Sequence, residues 1–172
     1  MNYTLDFKSE EPLPSLKTKT KAYFQNHGFK LSEEAPNNLQ FKAGSTLRNM
    51  IAINPLKWKS QIEIEFNDQN IVAHFEINTI HQIVTQKETK VWETFVNNYQ
   101  NTIETGTSFF SENENEIKEA KNANWELIGQ MFFGAILLGI PGGLIATITG
   151  FEVVFFTCLF VGAAIFLVKE IF

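Results

Sequence analysis

Apolar residues change their spacing several times along this chain, and each change marks an element. Tyr3, Leu5 and Phe7 alternate with polar neighbours, the two-residue period of a half-buried strand. After Pro12 and Pro14, Leu16, Thr20, Tyr23, Phe24 and His27 fall at helical spacing, with Gly28 behind them as a left-handed cap. A helix over 15–27 is predicted. Phe29 to Glu33 and Asn38 to Ala43 read as two short strands joined by turn residues, and hence as a hairpin.

The clearest alternation runs from Lys57 to Thr79. Trp58, Ser60, Ile62, Ile64 and Phe66 share one face, Asn67-Asp68-Gln69-Asn70 turns the chain, and Ile71, Ala73, Phe75 and Ile77 share the matching face. Pairing Phe66 with Ile71 sets Ile64 against Ala73, Ile62 against Phe75, and Glu63 against His74 on the outer face. Thr85 and Glu88 then have capping-box spacing, before a helix that carries Trp92, Phe95, Val96, Tyr99 and Ile103 on one stripe and stops at Gly106. The order β-α-β-β-β-β-α predicts an α+β domain over 1–106, an antiparallel sheet of about five strands with two helices on one face.

Residues 107–124 are charged and helical in pattern, with Glu112, Glu114, Glu116 and Glu119 ahead of Lys118 and Lys121. They read as a solvated stalk, docked at its start by Phe109 and Phe110. From Trp125 the pattern vanishes into an almost purely apolar run to Val168. Its length is about twice the roughly 20 residues that one membrane-spanning helix needs. The run predicts a two-helix transmembrane hairpin over 125–170, with helices near 125–148 and 152–169.

Two sites can reverse that hairpin, Pro141-Gly142-Gly143 or Thr149-Gly150-Phe151-Glu152. A turn at the first would bury Glu152 in a long second helix, at a cost of at least ~2.5 kcal/mol. The second is preferred, with Glu152 at a helix amino terminus and Pro141 inside the first helix. Gly134, Ala135, Gly139 and Gly143 offer small surfaces to Cys158, Gly162 and Ala163, for packing within the hairpin or along a homo-oligomer seam. Gln130 reads as an interhelical hydrogen-bond donor. Between Leu127 and Phe151, and between Val153 and Val168, no ionisable Asp, Glu, Lys, Arg or His supplies an ion path.

Charge adds orientation. Lys118, Lys121 and Lys169 flank the outer ends of the apolar run and no Lys or Arg lies at its turn, which predicts both termini in the cytoplasm of a cell with an inner membrane. Met1 to Glu11 lack the basic and apolar regions of a cleavable signal. The plan resembles that of small bacterial membrane proteins, a likeness of architecture that implies no activity. The formal charge of −5 argues against nucleic acid as a partner.

Between Glu34 and Glu63 the sequence carries no acid, while Lys42, Arg48, Lys57 and Lys59 accompany Leu47, Met50, Ile51, Ile53, Leu56 and Trp58. Lys42, Arg48, Lys57, Trp58 and Lys59 form the candidate anionic contact, for lipid headgroups or for an acidic or phosphorylated ligand, with Gly44-Ser45-Thr46 as backbone donors. The competing reading makes the tryptophan core and the cations ordinary solvated charges. His27, His74 and His81 lack metal-ligand spacing, and the only cysteine, Cys158, lies in the apolar run. Ser45, His74 and Glu63 supply the residue types of a hydrolase triad without a nucleophile elbow, and the soluble glycines are isolated. No metal, cofactor or catalytic activity is expected. The expected function is a membrane-anchored cytoplasmic binding or regulatory module, meeting lipid and a protein partner or a second copy. The alternative is an accessory or oligomeric subunit of a larger membrane complex whose working part is the hairpin.

Overall fold

Two-residue alternation becomes a five-stranded antiparallel sheet whose strands over 38–43, 60–67 and 70–77 bury one face and leave the other polar, while the strand over 30–35 has no buried residue. The computed structural model describes residues 1–49, 52–82 and 84–171, and of Leu167, Lys169, Glu170 and Ile171 the backbone alone. Met50 and Ile51, counted above with the basic segment, lie outside the described residues. The strands are β1 (Asn2–Lys8), β2 (Lys30–Ala35), β3 (Asn38–Ala43), β4 (Ser60–Asn67) and β5 (Asn70–Ile77), in the order β1-β5-β4-β3-β2. The helices are α1 (Leu13–Asn26), the short α2 (Thr46–Asn49), α3 (Gln86–Thr105), α4 (Phe110–Thr149) and α5 (Glu152–Ile171).

Contacts divide the chain into two compact units, Met1–Ala120 and Lys121–Phe172, and the division falls within α4. In the first unit, β4 and β5 pair in the expected register, Phe66 with Ile71, Ile64 with Ala73, Ile62 with Phe75 and Glu63 with His74. That register turns Phe41, Ile62, Ile64, Phe75 and their neighbours to one face, where each is at most 1% exposed. Phe24 of α1 lies on that face, its ring 4.8 Å from Phe41 and 6.1 Å from Phe75. Tyr99 of α3 meets Phe7 of β1 at 6.0 Å, and Phe24 meets Phe95 of α3 at 5.9 Å. Aromatic rings from both helices thus join those of the sheet in one core, each burying a large apolar area.

The helix ends follow their signals. Thr85 and Glu88 form the capping box, and Gly106 closes α3 at φ 69°. Helix α1 begins at Leu13, two residues before the expected start, because Pro14 is tolerated in a first turn. Two elements had no sequence signal: α2 and a single 3₁₀ turn at Pro55–Lys57.

The charged segment is not solvated all round. Asn113, Ile117 and Ala120, at i, i+4 and i+7 on α4, are each 2% exposed or less, and Ile117 and Ala120 belong to the core. Lys90 of α3 meets Glu116 of α4 at 2.9 Å, which raises the lysine pKa. The first unit therefore extends to Ala120.

In the second unit α4 runs on through Pro141 to Thr149, Gly150 turns the chain at φ 74°, and α5 begins at Glu152. Among the described residues, α4 is the one helix long and apolar enough to cross a membrane; the described apolar part of α5, Glu152–Phe166, is shorter. The Gln130 amide donates to Glu126 at 3.1 Å, one turn back on α4.

Candidate functional site

Lys42 and Lys59 converge at one end of the sheet because the chain crosses itself there. Lys42 projects from the outer face of β3, opposite Gln61 of β4. Past β3, Gly44 sits at φ +64°, and a Cβ there would lie 2.5 Å from the Lys57 carbonyl oxygen and the Trp58 carbonyl carbon. Glycine alone allows that approach.

Asn49, fully buried in α2, fastens the crossing. Its side-chain oxygen accepts from the Lys59 backbone N–H at 2.5 Å, and its amide donates to the Asn78 carbonyl at 2.8 Å. Trp58 is 1% exposed and donates its indole N–H to the Ala52 carbonyl at 3.0 Å. The indole is thus core, and a ligand at the surface does not reach it. Trp58 is buried and extended just ahead of β4, and Lys59 next to it is exposed, its ammonium 3.4 Å from the Thr46 hydroxyl.

The result is an open concavity of about 710 Å³ lined by Asn2, Lys42, Gly44, Lys59, Gln61, Glu76 and Asn78, among others. Two ammonium groups face one carboxylate, with carboxamides as further donors. That set suits an oxygen-rich anion small enough to avoid Glu76. Arg48 and Lys57 are exposed but do not line it. Ser45 is already engaged, its hydroxyl accepting from the Arg48 N–H at 3.2 Å. The triad types are not assembled, since His74 pairs with the Thr4 hydroxyl at 3.2 Å and Glu63 accepts from Asn38 at 2.8 Å.

A second polar constellation, which sequence patterning missed, lies inside the first unit. Asn113 of α4 donates to Tyr23 Oη and to His27 Nε2, each at 3.0 Å, and accepts from Asn98 of α3 at 2.9 Å. Tyr23 donates to the Phe95 carbonyl at 2.6 Å, and His27 Nδ1 donates to the Tyr23 carbonyl at 2.7 Å. Each proton is assigned by its partner: His27 must be neutral, with the proton on Nδ1. Burial pushes its pKa below the ordinary value, outweighing the pull of the Tyr23 carbonyl and the Glu114 charge. Burial also raises the Tyr23 and Tyr99 hydroxyls, so both stay protonated donors. The only advance signal was the spacing of Asn113 with Ile117 and Ala120.

In the second unit the small residues meet across α4 and α5. A Cβ on Gly134 would lie 2.2 Å from the Gly162 carbonyl oxygen, and one on Gly162 2.1 Å from that of Gly134. Gly139 packs on Leu159, Gly142 on Cys158 and Gly143 on Phe155. Helix backbones come this close only where both lack side chains. In comparisons with known proteins, no family model and no curated protein matches the chain.

Proposed function

We propose that the chain is a membrane-anchored cytoplasmic binding or regulatory module without catalytic activity, in which α4 from Trp125 onward and α5 cross the bilayer as a hairpin. One observation carries the reading: the large apolar side chains that these helices leave uncovered. Phe132 is 71% exposed, Ile148 85%, Val153 74% and Phe160 75%, in two successive helices. Water penalises such a continuous surface and hydrocarbon does not. At 20 residues α5 is about 30 Å long, the thickness of a hydrocarbon core.

Labelling tests the topology. In a Cys158→Ser background, Phe151→Cys at the turn is expected to react with an impermeant maleimide added outside intact cells, and Asn26→Cys only after lysis. The reverse pattern would overturn the orientation drawn from Lys118 and Lys121.

Within this reading the concavity at Lys42 and Lys59 is the binding surface, and an anionic group is its ligand. The full chain in phosphatidylserine-containing bilayers is expected to show both amines protected from acylation, relative to phosphatidylcholine alone, if the ligand is a headgroup. Protection by added inorganic phosphate in phosphatidylcholine marks a soluble ligand instead. Loss of neither amine's reactivity under any of these conditions removes the site. Lys42→Gln is expected to abolish the protection of Lys59, and Lys59→Gln that of Lys42, neither changing the unfolding midpoint, because both side chains are exposed.

A groove of about 310 Å³ between Ile136, Gly139, Ile140, Gly143, Phe155 and Leu159 favours a second reading, an accessory subunit that seats a foreign helix. Gly143→Leu fills that groove. Loss of a co-purifying membrane complex in this variant would decide for the second reading.

A further inference from the structure

The sheet has two edges, and they are treated differently. Strand β2 carries a bulge between Leu31 and Glu33, and the Lys17 ammonium donates to its Ala35 carbonyl at 2.6 Å. Both features blunt an edge against further pairing. Strand β1 has neither. It pairs with β5 without interruption from Asn2 to Lys8, and its sequence holds no proline.

The direction of its backbone groups follows from its ends. Met1 and Ile77 exchange both backbone bonds, at 2.8 and 2.9 Å, and Ser9 donates to Gln69 at 2.9 Å. Odd positions therefore bond inward. In an antiparallel ladder the even positions must then face away, so the N–H and C=O of Asn2, Thr4, Asp6 and Lys8 point off the open edge. All four residues are exposed, and among the described residues no strand pairs with that edge. On the helix-covered face, Tyr3 and Leu5 are left half-buried.

We infer that this edge joins a second copy of the chain, β1 to β1 about a two-fold axis through Thr4, making one continuous sheet. Only registers that match even with even positions satisfy the backbone. An axis at Asp6 sets two carboxylates face to face, and one at Leu5 leaves them as diagonal neighbours. The axis at Thr4 places each Asp6 carboxylate opposite the Asn2 carboxamide of the other copy, and Thr4 opposite Thr4. The same register sets Tyr3 against Leu5, so the half-buried apolar pair of one copy is covered by that of the other. Self-complementarity of hydrogen-bonding groups and apolar surface in one register, with the carboxylates kept apart, selects a second copy over an unrelated strand. A single strand edge buries little area, and confinement to a bilayer supplies the effective concentration that such a joint needs. In that respect alone the inference rests on the proposed anchor.

Cysteine cross-linking of the full chain tests both joint and register, in a Cys158→Ser background with copper phenanthroline as oxidant. Thr4→Cys is expected to give a disulfide-linked dimer, in micelles at high protein concentration and in liposomes. Asn2→Cys and Asp6→Cys are each expected to stay monomeric alone and to link to one another when mixed. Thr4→Pro removes an N–H that points off the edge and none that bonds β5, so it is expected to keep the unfolding midpoint and lose dimerisation in the uncross-linked protein. A Thr4→Cys chain that stays monomeric in both media, or links no faster than Asn26→Cys, overturns the inference. Dimerisation in micelles by a chain that fails to enter liposomes overturns the anchor and leaves the joint standing.

Discussion

Alanine at Gly134 or Gly162 is expected to open the α4–α5 hairpin, the largest effect foreseen for so small a change. The added carbon would lie 2.1–2.2 Å from a carbonyl oxygen of the facing helix, and backbone cannot rotate away as a side chain does. Overpacking costs about 1–3 kcal/mol where side chains adjust, and a rigid backbone neighbour puts this site at the upper end. About 1.4 kcal/mol corresponds to tenfold in a population, so the open form should rise by roughly tenfold or more. The readout is built in. Cys158, the chain's only cysteine, packs against Gly142, where a Cβ would lie 2.6 Å from its own. Alkylation of Cys158 by N-ethylmaleimide in micelles is expected to accelerate in both variants. Gly129→Ala is the control, since its Cβ meets nothing within 4 Å. Equal rates in all three variants would sink the packing seen between these helices.

How far the sequence foretold these features depends on whether the cause was local. The β4–β5 register was legible because the period of two names the buried faces of Ile62, Ile64 and Phe66 and of Ile71, Ala73 and Phe75, and the turn at Asn67 to Asn70 sets which of them pair. The capping box and the stop at Gly106 were legible because caps act within a few residues. The concavity was not. Gly44 looks like an isolated glycine, and its necessity appears only when residues 57–59 come back across it. The basic segment read as one patch of Lys42, Arg48, Lys57, Trp58 and Lys59, yet Trp58 is buried while Lys59 beside it is exposed, and only Lys42 and Lys59 of the cations share the concavity. Asn49 and Asn113 were missed for a common reason. A buried asparagine has the composition of surface, and only its partners reveal that its amide is satisfied inside.

Removing that satisfaction at Asn113 is the second large effect. Asn113→Leu strips the donor from the half-buried His27 Nε2, the acceptor from the buried Asn98 amide, and one of two partners from Tyr23 Oη, which keeps the Phe95 carbonyl. Each buried group left without a partner costs about 1–3 kcal/mol, and repacking softens the sum, so a loss of about 3 kcal/mol is expected in thermal unfolding of the full chain. The pH profile identifies the cause. Burial lowers the folded-state pKa of His27 below 6.5, so as pH falls the unfolded chain takes the proton first. Stability is then complete above about 6.5 and declines below it until the folded-state pKa is passed. Protonated His27 would also aim an N–H at the Asn113 amide, donor against donor. The wild-type midpoint is therefore expected to fall as pH drops below about 6.5, and His27→Gln to flatten that slope. Asn113→Asp should reverse its sign, because a carboxylate beside the imidazole favours the cation that the amide repels. Glu11 and Glu34, held below the usual carboxylate range by Lys19 and Lys21, lose their contributions only below about 4.5 and do not blur the window. An unchanged slope in both His27→Gln and Asn113→Asp would mean that this cluster does not set the acid limit of the fold.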